Sequence, residues 1–429
     1  MASVEIKVLG SGGEVGRAAI YVRDTVKKKG ILLDYGVNFD EEGRPQFPEH
    51  IRPVDVAAVV VSHAHLDHIG AVPMLYISAR PLSIMTKPTQ VIGEILIKDF
   101  MKLSGYYIDY EEGEVQAMMD NSLLLDYGED VDVNDYNILV TSAGHILGSM
   151  ITYLTTPSGH KIMYTGDINT IQTWTLSKAE LWPYKVDTLI IESTYGGVKH
   201  PPRYLVEKKL VEAVEEVIND GGTVLIPAFS VGRSQEVISL LAAELPHVPV
   251  YLDGMSREIT EIYLRNKKFL RDPDMFRRAV ENTRFIRGWE DRRKAWKRPC
   301  VIVSSAGMLK GGPALYYLKK LGSNEKNAVF LVSYQSLDSP GHMILEKGEI
   351  EELGIKIKAR LQWFDLSSHA GRDGLLNIVV HYRHTLKNIV IIHGEDSSRN
   401  YLANKIREEL GDDINIYTPS NGETITVEA

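Results

Sequence analysis

Short apolar runs, each closed by a turn of small residues, set the rhythm of the first half of the chain. VEIKVLG and AAIYV flank a glycine-rich turn, ILLDYG follows, and VDVAAVVVS has the near-continuous valine of a buried strand. ILVTSAGH, KIMYTGD and VDTLIIESTYG repeat the form: a strand, then a turn that carries His, Asp or Glu. Ile, Leu and Phe at helical spacing predict a helix over 93–103. From about Pro201 the pattern changes. YLVEKKLVEAVEEVI predicts an amphipathic helix, then come the strand TVLIPAF, a helix over 233–245 and the strand VPVYLDG. CVIVSSAG and AVFLVSYQ continue this β/α alternation, which favours a parallel sheet. The first form then returns, since LQWFDLSSHAG and IVIIHGE again end in His. A pattern interrupted and resumed predicts one domain built from residues 1–196 and 367–429, with a second, 197–366, inserted into it. No internal repeat or low-complexity tract is present.

Composition narrows the class. At 429 residues the chain exceeds what one core usually organises. Hydrophobic residues at 44% and charged ones at 24% are the balance of a soluble globular protein. Cys300, the single cysteine, excludes an intramolecular disulfide framework, a Cys-built zinc finger and a Cys-x-x-Cys redox motif. The longest apolar run, around Val54–Val61, is too short to span a bilayer, and MASVEIKVLG lacks the basic and apolar regions of a secretory signal. A cytoplasmic protein with no membrane partner is expected. A formal net charge of −9 argues weakly against nucleic acid, although a global sum can hide a local basic patch.

His63-Ala64-His65-Leu66-Asp67-His68 places four metal-competent side chains in six residues directly after a buried strand. In an extended turn His63 and His65 project to one side, while Asp67 and His68 enter the next element and can reach a second ion. Imidazole and carboxylate are donors that Zn²⁺ accepts. Taken singly, His145 in SAGHILGS, Asp167 in YTGD and His393 in IIHGE are ordinary capping or buried residues. Together they complete two sites: His63, His65 and His145 for one Zn²⁺, Asp67, His68 and His393 for the other, with Asp167 bridging both. Two such ions make a nucleophile at neutral pH and stabilise phosphoryl oxygens. Asp34, after ILLDYG, either orients these ligands from behind or is a simple turn residue.

HAHLDH with Asp34, His145 and Asp167 resembles the metallo-β-lactamase superfamily, whose αββα sandwich holds its metals at strand ends. Glu192 in IESTYG, His369 in SSHAG and His393 in IIHGE resemble motifs A, B and C of the β-CASP branch of nucleic-acid-processing nucleases. A histidine at motif C is typical of members that act on RNA. The resemblance spans essentially the whole chain and is to archaeal RNase J and cleavage-and-polyadenylation-specificity-factor-like ribonucleases. It implies an α/β protein: an αββα sandwich with an inserted β-CASP domain, a parallel sheet flanked by helices. Starting directly at its first strand, the chain is expected to lack the KH modules of some relatives. The resemblance also implies two Zn²⁺ per chain, with Asp67, His369 and Glu192 as catalytic residues. His369 is suited to protonate the departing sugar oxygen, and Glu192 to hold its imidazolium form. Single-stranded RNA is the implied substrate. A homodimer, and contact with RNA-decay or translation machinery, are expected on the same ground.

Further signals bear on how RNA is held. Residues 264–298 contain 13 Lys or Arg against 5 Asp or Glu, with Phe269, Phe285, Trp289 and Trp296 interleaved. The mixture, including Arg292 and Arg293, suits backbone neutralisation and base stacking, and equally a solvated helical face. SSAGMLKGGP, with Ser304, Ser305 and Gly307, offers hydroxyls and backbone donors to an anion and resembles the family's substrate-contacting loop. VGRSQE puts Arg233 and Ser234 at a helix start, where phosphate is favoured and plain N-capping is the alternative. GSGGEVG is not a dinucleotide loop, because the third glycine of that motif falls at Val15 and RAAIYV reads as a strand. Many relatives carry Gly-Tyr-Gln and a later Gly-Arg where this chain has Ser333-Tyr334-Gln335 and Gly341-His342. A closed pocket for a terminal monophosphate at SSAGMLKGGP points to a 5′→3′ exonuclease preferring 5′-monophosphate RNA. The alternative is an endonuclease of single-stranded RNA for 3′-end processing or termination. A small-molecule hydrolase fits the inserted domain poorly, and an inactive scaffold fits the complete ligand set poorly.

Overall fold

The computed structural model describes residues 2–335, 339–411 and 413–428. The chain divides into two compact units. One comprises the residues up to Gln172, Lys178–Lys199 and those from Ser368 onward; the other comprises Thr173–Ser177 and His200–Ser367. The brief excursion at Thr173–Ser177 is marked by no compositional shift in the sequence.

The first unit is built on two seven-stranded sheets. One runs in the order Thr424–Glu428, Ser3–Gly10, Ala19–Asp24, Gly30–Leu33, Val56–Val60, Leu82–Met85, Ser122–Leu124. The other runs Asn415–Tyr417, Asn388–Ile392, Thr188–Glu192, Lys161–Tyr164, Met150–Thr155, Tyr136–Ser142, Asp130–Val133. The strand period of two divides the apolar residues between layers. Ile31 and Leu33 meet Val390 and Ile392 in the core between the sheets. Leu32 packs outward with Ile97 and Phe100 of the helix Lys87–Ser104, and with Val115 and Met118 of Glu112–Asp120. On the far side Ile389 and Ile391 pack against Leu375 and Ile378 of Arg372–Tyr382 and against Leu402 and Ile406 of Asp396–Leu410. The result is an αββα sandwich, each fully buried Ile, Leu or Val contributing about 1.5–3 kcal/mol.

Strand direction decides where chemistry gathers. Gly30–Leu33 and Val56–Val60 are parallel, as are Lys161–Tyr164, Thr188–Glu192 and Asn388–Ile392. Their C-terminal ends open the turns that hold Asp34, His63, Asp167 and His393, and Glu192 is itself the last residue of its strand.

The second unit is built on a six-stranded, all-parallel sheet in the order Thr283–Phe285, Val250–Asp253, Val301–Ser304, Val224–Pro227, Ala328–Leu331, Arg360–Trp363. Val224 and Ile226 face the helices Arg203–Asn219 and Arg233–Glu244, whereas Leu225 and Ile302 face Gly312–Leu321 and Pro340–Lys347. Among the described residues no helix is long and apolar enough to cross a membrane.

Candidate metal and catalytic centre

After Val56–Val60 the chain turns into the short helix Leu66–Ile69, with His65 as its N-cap. The backbone of the turn is tied to its neighbours. Ala18 N donates to Asp67 O at 2.7 Å, Tyr35 N to His68 O at 2.9 Å and Val37 N to Leu66 O at 2.9 Å. A Cβ at Gly36 would lie 1.8 Å from Asp67 O, so this approach admits glycine alone. Asp34 (φ 59°) and His393 (φ 50°) hold the left-handed backbone that non-glycine residues adopt at a cost of about 1 kcal/mol. His393 is pinned there by its N–H to Ser11 O at 2.9 Å.

Three groups of ligand-type side chains result: His63, His65, His145 and Asp167; Asp67, His68, Asp167 and His393; Asp167, Glu192 and His369. In the first group His63 Nε2 and His145 Nε2 lie 3.1 and 3.2 Å from His65 Nδ1, and 3.5 and 3.6 Å from Asp167 Oδ2. Donors about 2.0–2.1 Å from a tetrahedral zinc ion stand about 3.3–3.4 Å from one another, so the set fits such an ion. In the second group Asp167 turns its other oxygen, Oδ1, to His68 Nε2 at 3.3 Å and to His393 Nδ1 at 3.5 Å. Asp67 Oδ2 lies 3.5 Å from His393 Nε2 and 3.8 Å from His68 Nε2. His68 Nε2 and Asp167 Oδ1 are buried without a hydrogen-bond partner among the described residues. Orphaned buried atoms of this kind are costly unless a cation fills the space they face.

The surrounding hydrogen bonds fix ring orientation. Asp34, fully buried, accepts Ser62 N (2.6 Å) at Oδ1 and Ser62 Oγ (2.7 Å), Tyr164 Oη (2.6 Å) and His68 Nδ1 (2.7 Å) at Oδ2. His68 therefore carries its proton on Nδ1 and presents the Nε2 lone pair to the second group. His145 Nδ1 donates to Ser368 O at 2.9 Å, which frees its Nε2 in the same way. Gly16 N approaches His393 Nε2 at 3.3 Å, and Thr194 Oγ1 lies 3.2 Å from Nδ1. Sequence reading picked out Asp34 but not Ser62, Tyr164, Thr194 or Ser368, which look like ordinary strand and turn residues. Tyr164 alone left a trace, as a phenol at the end of the strand Lys161–Tyr164 that leads into the turn of Asp167.

Electrostatics separates the two groups. Burial pushes His63 and His145 well below the ordinary histidine value, helped by His68 and His369 respectively, and burial lowers His65 too. These are neutral donors. Burial opposes the charge of His68 and His393, yet Asp167 foremost raises both. Asp67 and Asp167 are held below the carboxylate range against their own burial, chiefly by His68. The carboxylates thus favour positive charge at this second group, which a divalent cation would supply.

His369 Nδ1 lies 3.0 Å from Glu192 Oε1, which also accepts Ile168 N at 3.0 Å, and its Nε2 lies 3.9 Å from Asp167 Oδ2. Burial lowers the His369 pKa, but Glu192 first and Asp167 next raise it to about 9. It is a protonated donor beside the first ligand group.

The residues expected to hold RNA lie in the second unit. Ser304, fully buried, donates to Ser305 O at 3.2 Å, and Ser234, also buried, donates to Phe229 O at 2.8 Å. Arg233 opens its helix and is buried. A Cβ on Gly307 would come within 2.9 Å of Phe229 N and Ser333 Oγ. Arg292 grips buried Asp253 through Nε at 2.6 Å and Nη2 at 2.8 Å, and lies 4.7 Å over the Trp289 ring. Arg293 is exposed. The bidentate bond of Arg292 marks it as part of the fold of its helix Trp289–Ala295, a role its position in a basic run gave no sign of.

Comparison with known proteins gives a consistent picture. Residues 25–193 match a metallo-beta-lactamase superfamily domain, 235–344 a Beta-Casp domain and 354–419 a Zn-dependent metallo-hydrolase RNA specificity domain. RNase aCSPSF2 of Saccharolobus solfataricus is 48% identical over 424 residues, spanning 98% of this chain and 85% of that protein. Transcription termination factor FttA of Pyrococcus horikoshii is 34% identical, spanning 98% of this chain and 71% of that one. A solved structure of a protein of unknown function from Enterococcus faecalis has a TM-score of 0.60 at 14% identity over 100% of both chains, a likeness of fold.

Proposed function

The chain belongs to the β-CASP branch of the metallo-β-lactamase superfamily and is a metal-dependent ribonuclease; from that premise we propose that it holds two Zn²⁺ ions and trims RNA from the 5′ end, preferring a 5′-monophosphate. One observation carries the reading. Asp167 directs Oδ2 at His63 and His145 and Oδ1 at His68 and His393, the disposition of a carboxylate shared between two ions. His63, His65 and His145 would hold one ion, Asp67, His68 and His393 the other, and Asp167 would serve both. When bound, the ions supply the Lewis acidity that lets water attack phosphorus at neutral pH. The chain's own residues do the rest. Asp34 keeps the proton of His68 on Nδ1, away from the ion. Glu192 holds His369 protonated at Nδ1, and its Nε2–H is delivered to the sugar oxygen as the bond to phosphorus breaks.

The end preference is supported by the second unit's sheet. The connections leaving Val224–Pro227 and Val301–Ser304 pass to opposite faces, and such a crevice at strand C-termini is where open α/β sheets take ligands. A Cβ on Gly307 would come within 2.9 Å of Phe229 N, which places that turn beside the connection leading to the Arg233–Glu244 helix. The second reading is internal cleavage tied to termination, favoured by the 34% identity to the factor FttA. The test compares one RNA as a circle, as linear 5′-monophosphate and as linear 5′-triphosphate. Rapid mononucleotide release from the monophosphate form alone is expected. Equal attack on the circle overturns end-directed trimming in favour of the endonuclease.

A further inference from the structure

Thr173–Ser177 follows Asp167 closely in the chain, and Ser367 precedes His369 by two positions; both stretches belong to the second unit. One pair of side chains holds them. Glu236, in the first turn of Arg233–Glu244, is 3% exposed. Its Oε1 accepts Trp174 N at 2.9 Å and Arg203 Nη2 at 2.8 Å; its Oε2 accepts Thr175 N at 3.1 Å and Thr175 Oγ1 at 3.2 Å. Arg203 then donates from Nη1 to Ser367 O at 3.0 Å and from Nε to Glu207 Oε1 at 2.8 Å. Arg271 closes the other side of the excursion, donating from Nη1 to Thr173 O at 2.6 Å and from its backbone N to Thr175 O at 3.0 Å.

The chain on either side of this clasp is tied directly to the catalytic groups. Ser368 O receives His145 Nδ1, and Ala370 N donates to Ile168 O at 2.6 Å. Ile168 N donates to the same Glu192 oxygen that holds His369. The stretch after Asp167 and the stretch before His369 thus leave the reaction centre separately and are fastened again to a single buried carboxylate and its guanidinium. A buried Glu is retained only where its charge is met by several donors, and here the donors are these two stretches.

We infer that Glu236, acting with Arg203, is a positioning residue: it sets the spacing between Asp167 and His369 by holding the two stretches of chain that carry them. The inference rests on the catalytic roles proposed for those two residues. Glu236→Gln is isosteric but puts an NH₂ group against donors, at Thr175 or at Trp174 and Arg203, so one grip is released while the helix remains. Arg203→Lys keeps the charge and loses the fork that joins Glu236 to Ser367.

The test is a double-mutant cycle on single-stranded RNA, with folding followed by circular dichroism. Either variant should lower kcat about 10- to 100-fold, since small misplacements of reacting groups cost that much, while KM stays within about threefold. In a His369→Ala background the same substitutions should cost less than about threefold, because the spacing no longer serves proton delivery. A purely structural role would reduce both backgrounds alike. Wild-type kcat in Glu236→Gln and Arg203→Lys, or an undiminished loss on top of His369→Ala, overturns the inference. His369→Ala running at the wild-type rate instead sinks the catalytic reading beneath it.

Discussion

Replacing Asp34 by asparagine should weaken one ion position and largely spare the other. Asp34 contacts neither proposed ion. It receives four donors at 2.6–2.7 Å, three of them on Oδ2, including His68 Nδ1. Asparagine has the same shape with one oxygen. If that oxygen takes the Oδ2 place, the NH₂ faces Ser62 N–H; if flipped, it faces His68 and drives the imidazole proton to Nε2, where the ligand lone pair belongs. In both orientations His68 loses its carboxylate partner and becomes a poorer ligand. Loss of such a partner typically weakens metal binding about 10- to 100-fold, or about 1.4–2.7 kcal/mol. His65 and His145 make no hydrogen bond to Asp34 among the described residues, and His63 reaches it only through Ser62 Oγ, 3.0 Å from His63 Nδ1, so their ion should be disturbed far less. Zinc titration against a competing chelator reads both sites: one affinity should fall and the other stay within about threefold. Unchanged affinities, or both affinities lowered alike, would refute a role for Asp34 through His68.

Asp167→Ala removes the shared ligand, so bound zinc should drop below two per chain and hydrolysis should nearly vanish while RNA binding, followed by filter retention, persists. His369→Ala should lower kcat by about 10²–10⁴ with zinc content unchanged, and an RNA whose leaving oxygen is sulfur should recover much of the loss. The active form of His369 is protonated, so the rate falls as pH rises through its pKa. Glu192 is the foremost group raising that pKa, and Glu192→Gln should move the basic limb of the pH–rate profile to lower pH. Arg292→Ala strips buried Asp253 of its cationic partner, leaving Tyr317 Oη and Gly254 N as donors, and should cost about 3 kcal/mol of stability, seen as a lower Tm. Arg293→Glu should leave Tm unchanged and flatten the salt dependence of RNA binding by about 0.7 in log–log slope if Arg293 meets a phosphate.

The pattern that announces this fold is local. Valine-rich runs ending in HAHLDH, YTGD and IIHGE are strand and turn written in consecutive residues, and parallel pairing alone carries their ends to one place. The αββα layering follows from the same alternation, as Leu32 against Ile31 and Leu33 illustrates. What escaped the sequence depends on distant pairs. Tyr164 reaches Asp34 across 130 positions, and Arg292 reaches Asp253 across 39, turning a member of a basic run into an anchor of its own helix. The Thr173–Ser177 excursion escaped for a different reason: it is held through backbone N–H groups, which no residue type advertises.

Two ions, divided by Asp167, are proposed to serve one RNA-cleaving reaction. Adding zinc stepwise to the metal-stripped protein while following cleavage of a labelled single-stranded RNA tests it most directly. Negligible rate is expected in the stripped protein and up to one equivalent, then a rise that stops at two. Full activity with no metal, or saturation at a single equivalent, would contradict it.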